Sequence, residues 1–190
     1  MAKVRDSGMP SKEQWESFFD PPGILDALDC KGLSGDIIEL GCGYGTFTED
    51  AAARTSASTY AMDIDPAMVA ATATRVLRAG CRNVVTERRD FVIDGFGRPD
   101  ASVSFVLMFN ILHTEDPIGL LREAHRVLRP SGLVGVIHWN VDASTPRGPP
   151  LDIRPRPNQC QRWAESANLS CVRSPSLPRS PWHWGMVLRR

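Results

Sequence analysis

From residue 36 onward, short apolar runs alternate with stretches whose apolar positions recur at helical spacing. The runs Asp36–Leu40, Thr59–Asp63, Val84–Glu87, Val103–Phe109 and Leu133–His138 are dominated by β-branched and large aliphatic residues. Near-continuous apolar character of this kind suits strands buried on both faces of a parallel sheet. Helical periodicity marks Thr46–Arg54, Pro66–Ala79 and Pro117–Leu128. Gly80 follows the second of these, and Pro130 with Gly132 follows the third, as helix stop signals should. Asp65 and Asp116, each followed by proline, read as helix caps. The link Asp90–Ala101 is too short and too glycine-rich for a helix, and Val141–Pro157, rich in proline and arginine, reads as a loop. A last helix, Asn158–Asn168, and two short strands, Leu169–Ser174 and Trp184–Arg189, end the chain.

Alternating strands and helices predict a single α/β domain, a doubly wound, Rossmann-like sheet that is mostly parallel and carries an antiparallel strand at its C-terminal end. Ahead of it, Ser11–Leu28 reads as helical, with Trp15, Phe18 and Phe19 on one side and Pro21-Pro22 interrupting the run. The expected organisation is therefore a helical segment over 1–34, packing on the domain or covering it, and a ligand-binding domain over 35–190.

Composition narrows the class. The formal net charge is +0, which supplies no field to attract nucleic acid or an anionic membrane. No apolar run approaches the roughly 20 residues that span a bilayer, and Met1–Asp6 lacks the apolar core of a secretory signal. The five cysteines (Cys30, Cys42, Cys81, Cys160, Cys171) are scattered with no C-x-x-C pair, which argues for a reducing, cytoplasmic setting and against a metal site.

The chemistry begins where the first strand ends. Ile37-Ile38-Glu39-Leu40-Gly41-Cys42-Gly43-Tyr44-Gly45-Thr46 runs from an apolar strand through three alternating glycines toward a helix. Glycine lets a ligand lie against the main chain, and a helix start suits the carboxylate of an amino-acid-like ligand. A dinucleotide fingerprint, G-x-G-x-x-G, would require glycine where Thr46 stands, which weighs against a nicotinamide-dependent oxidoreductase. Asp63 closes the second strand about 20 positions after Gly41, the separation at which a carboxylate can accept the ribose hydroxyls of a bound adenosine.

With these blocks, the chain resembles the class I S-adenosylmethionine-dependent methyltransferases. The likeness rests on Glu39-Leu40-Gly41-Cys42-Gly43-Tyr44-Gly45, then Met62-Asp63-Ile64-Asp65-Pro66, then Arg89-Asp90-Phe91, and finally Asn110-Ile111-Leu112-His113 with Leu120–Gly132. Ser131 stands where the family usually has the first glycine of Pro-Gly-Gly. The resemblance implies S-adenosylmethionine as cofactor and S-adenosylhomocysteine as product. It implies that Gly41, Cys42, Gly43, Tyr44 and Gly45 surround the methionine portion, with Glu39 anchoring the loop beneath. Asp63 would hold the ribose, Ile64 would cover one adenine face, Asp90 would accept from the adenine amino group with Phe91 beside it, and Asn110 would offer its carbonyl to the methionine amine.

The acceptor side rests on thinner signals. His113 follows the fourth strand, where the transferable methyl should point, and an imidazole there suits proton removal. His138, at the end of the fifth strand, reads as structural. Arg147, Arg154 and Arg156, held among prolines, suggest an anion-binding rim over the site mouth. The tail Pro181-Trp182-His183-Trp184 reads as strand-edge packing. With no separate recognition module, a small-molecule acceptor is expected rather than nucleic acid, protein or membrane. A non-catalytic protein that keeps the adenosine pocket is the remaining alternative.

Overall fold

A computed structural model describes residues 9–141 and 145–190. The reading of Met1–Asp6, and residues 142–144 of the proline-rich loop, lie outside the described residues. Seven strands form one sheet in the order β3-β2-β1-β4-β5-β7-β6. The first five, β1 (Asp36–Leu40), β2 (Thr59–Asp63), β3 (Val84–Arg88), β4 (Val103–Phe109) and β5 (Leu128–Trp139), are mutually parallel. Both closing strands, β6 (Ser170–Arg173) and β7 (His183–Arg189), run antiparallel, β7 against β5 and β6 against β7. The chain winds outward from β1 through β2 to β3, then returns to place β4 on the other side of β1. That reversal opens a crevice at the carboxyl ends of β1 and β4, where open α/β sheets bind ligands.

Alternation along the central strands feeds two cores. Ile38, Val106 and Met108 face one side with Leu120, Leu121 and Ala124 of α5 (Pro117–Val127) and Cys160 and Ala164 of α6 (Pro157–Ser166). Ile37, Phe105 and Leu107 face the other with Ile24 and Leu25 of α2 (Pro21–Ala27) and Ala51 of α3 (Thr48–Ala52). Asp20, Asp65 and Asp116 each precede a proline and cap α2, α4 (Pro66–Arg78) and α5, accepting from Gly23, Ala67 and Gly119 N–H. Proline lacks the N–H that a first helical residue would leave unpaired anyway, so the Asp-Pro pair starts all three helices without waste.

Three expectations shift. The opening helix is two, α1 (Lys12–Glu16) and α2, because Pro21 and Pro22 cannot donate back into a continuing helix. The helix expected over Thr46–Arg54 shrinks to α3, the glycine loop taking its first turn. β5 starts at Leu128 rather than Leu133: Leu128 pairs with Val103 and Leu133 with Phe105, so Arg129–Gly132 bulge from the ladder. Ser131 sits in that bulge with φ +64, in the left-handed region that a glycine would adopt more cheaply.

The N-terminal segment shares the core of the domain. Phe18 and Phe19 are buried with Phe47 and Trp139, while Trp15 reaches the mouth of the crevice.

Candidate active site

The loop after β1 is tied to β2 before any ligand arrives. The N–H groups of Gly41 and Cys42 both donate to Met62 O (2.8 and 2.9 Å), and Gly43 N–H donates to Asp63 Oδ2 (2.9 Å). Thr72 of α4 donates its hydroxyl to Gly43 O (2.8 Å). Gly41 and Gly43 have φ of +71 and +55, conformations that a side chain would strain. A Cβ on Gly41 would meet only Ile111, 3.4 Å away on the opposite wall. With Gly45 N–H donating to Cys42 O (2.9 Å), four of the loop's N–H groups are already paired, and what Gly41 offers a ligand is bare Cα surface.

That surface, with the ends of β1, β2, β4 and β5, bounds a cavity of about 440 Å³. Glu39, Gly41, Cys42, Gly43, Asp63, Ile64, Phe91, Asn110 and His113 of the expected site line it. Asp90 lies beside it, in a small adjoining recess that shares the walls Ile64, Phe91 and Ile111, and its Oδ1 accepts from Val92 and Ile93 N–H (3.2 and 3.3 Å). Tyr44 and Gly45 do not line it. Tyr44 turns outward to donate to Pro10 O (2.8 Å), tethering the N-terminal segment. Gly45 instead allows close packing on α4, since a Cβ there would come 3.1 Å from Thr72 Oγ1.

Glu39 is buried beneath the loop and accepts from the Thr48 hydroxyl (2.5 Å). Burial pushes its carboxyl up to about 8 from the ordinary 4.5. A folded state that holds this proton gains full benefit below 4.5 and loses it as pH rises through about 8. Glu39→Gln keeps a neutral acceptor for Thr48 and removes that loss. Its urea midpoint should exceed that of the unsubstituted protein at pH 8, and the two should converge toward pH 4.

Asp63 is nearly buried and holds the loop with one oxygen, while Oδ1 accepts from Asp65 N–H (3.0 Å). Desolvation raises its pKa. The carboxylate lines the cavity and keeps acceptor capacity for further donors. Asn110 ends β4 in the left-handed region, φ +57, with its side chain gripped at both ends: Oδ1 accepts from Trp139 N–H (3.1 Å) and Nδ2 faces His183 Nε2 (3.5 Å). His183 is in turn bonded to Ser180 Oγ (2.9 Å), whose hydroxyl donates to Phe18 O (3.1 Å).

Thr46, read in the sequence only as a missing glycine, lines the cavity 3% exposed with its hydroxyl unpaired among the described residues. An orphaned hydroxyl, a glycine cradle and a carboxylate acceptor together fit the methionine and ribose of S-adenosylmethionine. Thr46→Val should weaken S-adenosylhomocysteine binding about fivefold, roughly one neutral hydrogen bond, without lowering the melting temperature. Calorimetry and thermal denaturation on the same sample check both halves.

A family model described as a methyltransferase domain matches residues 37–132, half of the chain, from β1 into β5. The chain belongs to this methyltransferase family. Its cofactor is S-adenosylmethionine, and the match replaces the nicotinamide-dependent reading. Among curated proteins none matches. Solved structures agree on the methyltransferase fold. A SAM-dependent methyltransferase from Aquifex aeolicus is 21% identical with a TM-score of 0.79, over 98% of this chain and 96% of that one. A protein described as a type 11 methyltransferase from Sulfolobus solfataricus is 27% identical with a TM-score of 0.66, over 87% and 88%. The [4+2]-cyclase SpnF superposes with a TM-score of 0.75 at 14% identity, over 97% and 84%. The fold therefore hosts more than one chemistry, and the sequence match is what assigns the methyltransferase.

Of the three arginines expected to form the methyltransferase's anion rim, one reaches the cavity. Arg147 lines the mouth with Pro149 and Pro150. Arg154 is a correction: buried, it donates to Pro149 O (2.8 Å), Asn140 O (2.6 Å), Thr145 Oγ1 (2.6 Å) and Arg147 O (3.1 Å), so its guanidinium braces the loop. Arg156 is a second correction, since it stands at the N-terminal cap position of α6, exposed and not among the residues lining the cavity. Trp182, His183 and Trp184 stay outside the cavity, His183 packing on Trp139 with ring centroids 4.1 Å apart. Sequence reasoning missed Phe109 and Trp139 on the wall, while Trp15, read as packing on the domain or covering it, lines the cavity as well. The two strand residues stand at or just beyond carboxyl ends already identified, a signal that was available.

Proposed function

We propose that this methyltransferase acts on a small-molecule acceptor bearing an anionic group, seated between His113 and Arg147. The observation that carries the proposal is the continuity of one cavity from Glu39, the glycine loop and Asp63 to His113 and Arg147. About 440 Å³ lies low in the range of ligand sites and must serve cofactor and acceptor together, which leaves room for a small molecule. Arg147 supplies the positive charge at the mouth, and Trp15, Phe109 and Trp139 supply apolar wall.

Bound S-adenosylmethionine supplies an electrophilic methyl on a sulfonium, open to in-line displacement. The chain's part is placement and exclusion of water. Asp63 would accept from the ribose hydroxyls, Ile64 and Phe91 would supply apolar wall to the adenine, and Asp90 would take its amino group. Gly41, Cys42 and Gly43 admit the methionine tail, Glu39 steadies the loop and Asn110 offers its carbonyl to the amine. His113 takes the acceptor's O–H or N–H. Residues 9–34 serve as cover and core filler rather than as a separate domain. A zero net charge supports an acceptor other than nucleic acid or membrane. Among the described residues no helix is long and apolar enough to cross a membrane, and five unpaired cysteines support residence in the cytoplasm.

The test offers labelled S-adenosylmethionine with pools of small carboxylates and phosphates, neutral small molecules, RNA and protein. Label in the anionic pool is the expected result, and label confined to RNA or protein overturns the proposal.

A further inference from the structure

We propose that His138 is a positioning residue that holds His113 in its Nδ1–H tautomer, leaving Nε2 as the proton acceptor offered to the methyl acceptor. The inference rests on the acceptor-side role just given to His113, and the geometry around the pair determines which nitrogen carries the proton. His138 is fully buried at the end of β5, its ring stacked on Trp184 at 6.1 Å between centroids. Its Nδ1 lies 3.4 Å from Trp139 O. A carbonyl oxygen only accepts, so the His138 proton sits on Nδ1 and its Nε2 presents a lone pair. That Nε2 lies 3.1 Å from His113 Nδ1, with the two rings at 78°. Two lone pairs cannot face each other at this distance, so His113 Nδ1 carries a proton and donates. The opposite assignment would set a bare His138 Nδ1 against a carbonyl oxygen. His113 Nε2 is then unprotonated, and no described residue bonds it, on a ring that lines the cavity.

The surroundings keep both rings neutral. His113 is pushed down to about 4 by burial. His138 is lowered by burial and by the positive charge that His113, His183 and Arg154 would add beside it. His183 does not compete as a partner, because Ser180 and Asn110 occupy its two nitrogens. A neutral His113 accepts a hydrogen bond from the acceptor's O–H or N–H and aligns the oxygen or nitrogen lone pair. When that atom bonds the methyl carbon and the C–S bond breaks toward sulfur, the acceptor's proton passes to Nε2. The positive charge that leaves the sulfonium thus reappears on imidazolium, to be lost to solvent. The second ring acts as the orienting member of a base pair, a task usually given to a carboxylate or carbonyl.

The test is ring-nitrogen NMR on the full chain labelled with ¹⁵N. Four histidines make the spectrum assignable, with His113→Gln identifying its own signals. The expected result at pH 7 is a protonated Nδ1 and a bare Nε2 for His113, the reverse of the tautomer that an unconstrained neutral imidazole prefers. In His138→Leu the population should swing toward Nε2–H by at least fivefold. His138→Gln, whose amide oxygen can accept from Nδ1–H, should retain the original tautomer. A protonated Nε2 on His113 in the unsubstituted protein overturns the proposal, and so does an unchanged ring in a folded His138→Leu. Should His138→Leu fail to fold, the unsubstituted spectrum decides alone. S-adenosylhomocysteine binding on the same sample separates the two readings: its absence sinks the cofactor site and leaves the tautomer result standing.

Discussion

Replacing Asp63 by alanine is expected to weaken S-adenosylhomocysteine binding by at least tenfold. Two losses combine. The ribose loses a charged acceptor, roughly 1.4 kcal/mol or one factor of ten. The glycine loop loses the tie between Gly43 N–H and Asp63 Oδ2, and Asp65 N–H loses Oδ1 as well. Asp63→Asn separates the contributions, because one acceptor oxygen remains to hold a backbone N–H while the charge is gone. Its affinity should fall between those of the unsubstituted protein and Asp63→Ala. Titration calorimetry gives the constants. A folded Asp63→Ala with unaltered affinity would remove the ribose role from this carboxylate.

The same residue shows how much was legible in the sequence. Asp63 stands at the carboxyl end of an unmistakable apolar run, and the glycine spacing around Gly41 and Gly43 places the partner loop one strand away. Local pattern sufficed there because strand, turn and cap signals all act within a few residues. It also sufficed for the mostly parallel character of the sheet and for the Asp-Pro starts of α4 and α5. It failed where long-range packing decides. Nothing near Trp15 or Pro10 says that α1 lies over the loop; that placement comes from Tyr44 bonding Pro10 O and from Phe18 packing on Trp139, with ring centroids 5.4 Å apart. Gly45 belongs to an alternating glycine pattern, yet its space goes to α4, a neighbour the local sequence does not show. The pairing of His113 with His138 spans β4 and β5 and has no local signature. Thr46 was legible in kind but not in state: a hydroxyl in that place is visible, whereas its lack of a partner is a fact of three dimensions.

Arg154 is the sharpest departure, and its removal carries the second large effect. Sequence alone sets three arginines among prolines as equals. The structure separates them, since the segment turns back on itself and one guanidinium must satisfy the carbonyls that proline-rich backbone cannot pair in a ladder. Arg154 donates to three main-chain oxygens and to Thr145 Oγ1, and it is 8% exposed. Gly148, with φ +125, lets the loop pass between this guanidinium and Trp139: a Cβ there would come 2.8 Å from each. Arg154→Met keeps the aliphatic stem and leaves those oxygens to water where water can reach. Loss of hydrogen bonds from a charged donor, offset in part by hydration, costs about 2–3 kcal/mol. For a chain of this size that lowers the melting temperature by about 5–10 °C. Lysine should not rescue it, because a single ammonium cannot span acceptors spread around a planar fork. Arg147, by contrast, is exposed, and Arg147→Ala should lower the melting temperature less than Arg154→Met does and reduce turnover of anionic acceptors. Thermal denaturation of the three variants decides the matter. If Arg154→Met melts with the unsubstituted protein, the guanidinium is not a brace, and Arg154 regains its claim on the acceptor beside Arg147.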